Sequence, residues 1–148
     1  MPEAPRVLVV DDDGPIRSLI TAIMRRQGIT VDSAADGEEG VRKLESCSYD
    51  VVLLDLMMPR MNGYEVLAYI KEHHRHYPAV IVISAQGDPA IRLKLDPKLV
   101  HSIVRKPFDI EMLADLVVST ASEISERNAK KDAEENVVPF PGETKSKT

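Results

Sequence analysis

An α/β fold built on a parallel sheet is predicted by three observations. Short apolar runs alternate with amphipathic stretches along the chain, which is the pattern of repeated βα units rather than of a helical bundle or a sandwich. The runs Val7-Leu8-Val9-Val10 and Val51-Val52-Leu53-Leu54 are continuous rather than alternating, as strands covered on both faces require. With two Phe and no Trp among 148 residues the core must be aliphatic, and an apolar content of 43 % is enough to build one domain around it.

Each element can be justified in order. Arg6 to Val10 reads as the first strand. Ile16, Leu19, Ile20, Ile23 and Met24 then repeat at helical spacing, with Asp13 as N-cap, Pro15 in the first turn and Gly28 just past the end. Ile29 to Ala34 is the second strand. Asp36 and Glu39 form a capping-box pair opening a helix that packs Val41 and Leu44. Tyr49 to Leu54 is the third strand, followed by the loop Met57 to Gly63 and a helix from Tyr64 to His74 that turns Val66, Leu67 and Ile70 inward. Ala79 to Ile83 is the fourth strand. Asp88-Pro89 can start a helix that Asp96-Pro97 must stop, so this element is short. Val100 to Val104 is the fifth strand, and Asp109 opens a last helix carrying Ile110, Leu113, Ala114, Val117, Ala121 and Ile124 at helical spacing. A domain over residues 1–125 is expected to end there. Residues 126–148 hold five acidic and five basic side chains around a small apolar island, Val137 to Pro141, and are expected to form a mobile tail.

Composition excludes several function classes. A formal net charge of -5 gives no electrostatic reason for contact with nucleic acid or anionic lipid. The single cysteine, Cys47, cannot form an internal disulfide, and its place near a helix end suits a packed or surface thiol. With no secretory h-region and no run of about 18 apolar residues, the expected compartment is the cytoplasm, away from the membrane.

The chemistry gathers at the carboxyl ends of the strands, where loops of a parallel sheet converge on one crevice. Asp11, Asp12 and Asp13 end the first strand, Asp55 the third and Ser84 the fourth, while Lys106 follows the fifth. Two carboxylates about 4 Å apart repel by about 4 kcal/mol at an effective dielectric near 20, so such a cluster calls for a cation. All-oxygen ligation suits Mg²⁺. A carboxylate beside that ion can attack phosphorus, because the metal screens two anions from each other, and Asp55 is the best placed nucleophile. The Lys106 ammonium and the Ser84 hydroxyl can each take a phosphoryl oxygen.

Four segments taken together resemble the response-regulator receiver family: Val7-Leu8-Val9-Val10-Asp11-Asp12, then Val52 to Pro59 with Gly63, then Val82-Ile83-Ser84-Ala85, then Lys106-Pro107-Phe108. The match covers roughly residues 5 to 125, and the 22-residue gap from Ser84 to Lys106 also suits the family. The resemblance implies a flavodoxin-like doubly wound five-stranded sheet of order 2-1-3-4-5 with helices on both faces. It implies phosphorylation of Asp55 by a histidine kinase or phosphotransfer protein, with catalysis limited to the domain's own phosphorylation and dephosphorylation. Mg²⁺ would be held by Asp12 directly, Asp11 mainly through water, Asp55, and the backbone carbonyl of Met57. Ser84 would swing toward the phosphoryl group, Lys106 would pair with it, and Lys106-Pro107 would be a cis peptide.

Three features depart from the family pattern. Ile103 stands where an aromatic switch residue is usual, the segment from Gly87 to Leu99 is not the usual long fourth helix, and Asp13 adds a third acid, read as a helix cap. Because nothing after residue 125 is long enough for an output module, the expected action is protein contact through the region of Gly87 to Ile124, without a fused output domain. Two other readings compete. A phosphorylation-independent interaction module would account for Ile103 and the odd fourth helix. A haloacid-dehalogenase-like phosphatase would use Asp11 as nucleophile and Asp13 as acid/base, but would leave Asp55 without a task. Met57, Met58 and Met61 read as loop packing rather than a soft-metal site, and His73, His74 and His76 as partners of a helix dipole.

Overall fold

The computed structural model of the chain describes residues 4–73, 78–85 and 91–135. Five strands, β1 (Arg6–Val10), β2 (Thr30–Ala34), β3 (Val51–Asp55), β4 (Ala79–Ser84) and β5 (Val100–Arg105), alternate with helices α1 (Gly14–Arg26), α2 (Gly37–Ser46), α3 (Gly63–His73), α4 (Ile91–Lys94) and α5 (Ile110–Glu135). All pairings are parallel, and the strand order is β2-β1-β3-β4-β5, as expected.

Strand alternation divides the core in two. Leu8, Val10, Val52, Leu54, Val80 and Val82 face one side, where they meet Leu44 of α2 and Val66, Leu67 and Ile70 of α3. Val7, Val9, Val51, Leu53, Ile81 and Ile83 face the other, against Ile20 and Met24 of α1 and Leu113, Val117 and Ala121 of α5. Burying each of these aliphatic side chains contributes roughly 1.5–3 kcal/mol, and a continuous apolar strand is the only kind that satisfies both layers.

Helix starts follow the predicted chemistry closely. The Asp13 carboxylate accepts the Ile16 N–H at 3.1 Å, and Asp36 accepts the Glu39 N–H at 2.9 Å. Glu39 returns the bond one residue earlier than the capping box requires, accepting the Ala35 N–H at 3.3 Å. Asp109 accepts the N–H groups of Glu111 and Met112. Gly28, at φ 82°, reverses the chain after α1 in a conformation that only glycine adopts freely.

The described part of the fourth helix ends at Lys94, before Asp96-Pro97 as expected; the Asp88-Pro89 start lies outside the described residues, as do Gly87, His74, His76 and Val137 to Pro141. The last helix differs from expectation. It is read to end near Ile124 but continues to Glu135, so residue 125 lies inside α5. The extension holds no Pro or Gly and is rich in Ala, Glu, Lys and Arg, and Arg127 pairs with Glu123 one turn back at 3.0 Å; loss of apolar spacing did not mean loss of helix propensity. Among the described residues no helix is long and apolar enough to cross a membrane.

Candidate functional site

The chain leaves β1 toward β2 on one side and returns to β3 on the other, which opens a crevice at the carboxyl ends of β1 and β3. Asp11 and Asp12 follow β1 into it, and Asp55 ends β3. Ligand oxygens of these three carboxylates lie within 4.8 Å of one another. Asp11 and Asp55 are buried, at 0 % and 2 % exposed, while Asp12 is open to solvent.

Each oxygen of Asp55 has a partner. Oδ1 accepts the Met57 N–H at 3.0 Å, and Oδ2 faces the Lys106 Nζ at 3.4 Å. Lys106 arrives there because its N–H bonds the Ser84 carbonyl at 2.9 Å, extending the β4–β5 ladder by one rung. The predicted cis Lys106-Pro107 peptide is present. Ser84, buried at the end of β4, lies one residue beyond Ile83, which pairs with Asp55 in the register. The strand ends thus bring together Asp11, Asp12, Asp55 and Lys106, with Ser84 adjacent in register.

Asp11 is half satisfied. Its Oδ1 accepts the Asp13 N–H at 2.9 Å, whereas its Oδ2 is buried with no hydrogen-bond partner among the described residues. Burial, reinforced by the Asp55 charge, pushes the Asp11 carboxyl up to about 6 even though the Asp13 N–H and Lys106 pull it down. A buried carboxylate oxygen left over in a cluster of three acids suits a hard divalent cation, and the all-oxygen donor set fits Mg²⁺.

Asp13 is not part of this cluster; its carboxylate is turned back to cap α1. Met57 is 68 % exposed at the crevice rim. Ile103 is half-buried and packs against the α2–α3 side of the core.

A family model for the response regulator receiver domain matches residues 7–118. The chain belongs to that family. The receiver is 32 % identical over 127 residues to the transcriptional regulatory protein ResD of Bacillus subtilis, covering 84 % of this chain and 52 % of that one. It is 37 % identical over 107 residues to the response regulator RR06 of Streptococcus pneumoniae, covering 72 % and 48 %. The chain therefore spans about half the length of these curated relatives. Among solved structures it resembles the response regulator TrrA of Thermotoga maritima in complex with Mg²⁺-BeF, with 31 % identity, a TM-score of 0.65 and coverage of 78 % of this chain and 98 % of that one. These matches place the receiver in two-component signalling.

Two arginines at the receiver site were not singled out from the sequence. Arg17 donates from Nη1 to the Asp11 carbonyl at 2.6 Å, and its place one turn into the helix that follows the acidic run was a usable signal. Arg60 pairs with Asp36 across 24 residues at 3.1 Å; no local pattern could have found it.

Proposed function

We propose that this receiver takes a phosphoryl group onto Asp55 from a histidine kinase or phosphotransfer protein, and that Asp11, Asp12, Asp55 and the Met57 carbonyl hold Mg²⁺ for the transfer. The observation that carries this reading is the convergence of three carboxylates from two strands with an ammonium from a third. Mg²⁺ bound there would screen the charge between Asp55 and an anionic donor. An Asp55 oxygen forms the new bond to phosphorus as the donor's P–N bond breaks, and the departing nitrogen takes up a proton. The Met57 N–H and Lys106 fix the plane of the Asp55 carboxylate before attack, and Lys106 then meets the charge of the phosphoryl oxygens. Ser84 is the hydroxyl that donates to another of those oxygens. The domain acts on itself and is a switch rather than a turnover enzyme.

Output would run by protein contact through the region from Gly87 to Ile124. In its described part a cleft of about 310 Å³ lies between Leu95, Pro97, Val100, His101, Ser102 and Ile103. Occupancy of Asp55 would bias two arrangements of the segments that carry Ser84 and Lys106, which the Ser84–Lys106 main-chain bond couples.

Treating the protein with Mg²⁺ and a small acyl phosphate, then mapping the added mass by peptide, tests the reading. The label should fall on Asp55 and vanish with chelator or in Asp55→Asn. Label on Asp11 would favour the phosphatase reading, and no label at all would favour a phosphorylation-independent interaction module.

A further inference from the structure

The loop from β3 to α3, residues 56–62, begins beside the Asp55 carboxylate and is fastened along its length. At its far end a methyl group on Gly63 would come within 2.6 Å of the Asp55 carbonyl oxygen. Two residues earlier the Met61 carbonyl presses on the first residue of α2, where a methyl on Gly37 would meet that oxygen at 2.1 Å. Just before it Arg60 takes a left-handed backbone, φ 66°, which residues with a Cβ seldom adopt. Its guanidinium reaches back to Asp36, Nη1 to Oδ2 at 3.1 Å. Asp36 can hold it because the other carboxylate oxygen is already committed to the Glu39 N–H as the cap of α2, and the residue is only 9 % exposed.

We propose that Arg60 and Asp36 form a pin that sets the β3–α3 loop against the start of α2 and thereby sets where the Met57 carbonyl stands for Mg²⁺. Both are positioning residues for the metal rather than ligands, and the inference rests on the reading of Met57 given above. Charge alone predicts a different pattern. Removing the Arg60 cation should favour a nearby divalent ion, and removing the Asp36 anion should disfavour it. A pin requires that both losses weaken binding.

Arg60→Asn and Asp36→Asn separate the two ideas. Asn tolerates the left-handed backbone at position 60 but is too short to reach Asp36, and at position 36 it keeps an acceptor for the α2 cap, so both variants retain the local fold. Mg²⁺ affinity is read by calorimetry on the unphosphorylated full chain, and exchange of the Met57 and Met58 amide protons is read in chelator. Each single variant should bind Mg²⁺ roughly two- to fivefold more weakly, the range a partly exposed ion pair can transmit, and should exchange those amides faster. The double variant should be no worse than either single. Unchanged affinity, tighter binding by Arg60→Asn, or losses that multiply in the double variant would overturn the pin. Wild-type protein that takes no Mg²⁺ would remove the proposed function and the pin together, whereas wild-type binding with unaltered variants removes the pin alone.

Discussion

Burial beside Asp55 should make the ionised form of Asp11 costly to the folded protein, and Asp11→Asn measures that cost. The carboxyl moves from an ordinary value of 3.8 up to about 6 because it is buried beside Asp55. A folded-state value above the unfolded one means that the native protein binds the extra proton. Its contribution is therefore fully present below about pH 4 and is lost as pH rises through about 6. Moving from 3.8 to about 6 amounts to about 3 kcal/mol lost by pH 7.5, as an order of magnitude. Asn keeps the acceptor for the Asp13 N–H and puts a neutral amide where the buried Oδ2 lies, removing the ionised form. Urea unfolding in chelator at pH 7.5 should show Asp11→Asn more stable than wild type by about 1–3 kcal/mol, with the gap closing at pH 4.5. With Mg²⁺ added, wild type should recover most of the difference and the variant little. A variant less stable than wild type in chelator at pH 7.5, or equal stabilisation of both by Mg²⁺, would refute the reasoning.

Two further outcomes follow from the geometry. Lys106→Met leaves the Asp55 carboxylate, 2 % exposed, without the ammonium now 3.4 Å away. The metal-free protein at pH 7.5 should lose about 1–2 kcal/mol, less than a fully buried pair would, because the Lys106 side chain is 36 % exposed; an unchanged urea midpoint would mean that the contact carries no energy. Gly37→Ala drives a methyl into the Met61 carbonyl at 2.1 Å, so α2 or the β3–α3 loop must move. A loss of about 1–3 kcal/mol in the same titration is expected, and full stability would show that this junction yields freely.

Much of this protein was legible in its letters because the determining physics is local or periodic. Continuous apolar strands announced a sheet covered on both faces, Asp13, Asp36 and Asp109 announced helix starts through bonds spanning two or three residues, and Asp96-Pro97 announced where the fourth helix ends. The candidate site residues stood out for the same reason: a carboxylate or an ammonium at the end of an apolar strand is conspicuous, and parallel strands deliver their ends to one edge. Where α5 stops was not legible from apolar spacing, since a helix can run on past the core on propensity alone. Asp13 was legible as a helix cap, but only the tertiary structure seals Asp11, two positions earlier, beneath the crevice with an oxygen that has no hydrogen-bond partner among the described residues. Tertiary structure alone also brought Arg60 to Asp36 and set the 3.4 Å between Lys106 and Asp55, because charges separated by 24 and 51 residues take their final distance only after the sheet has set its strand order.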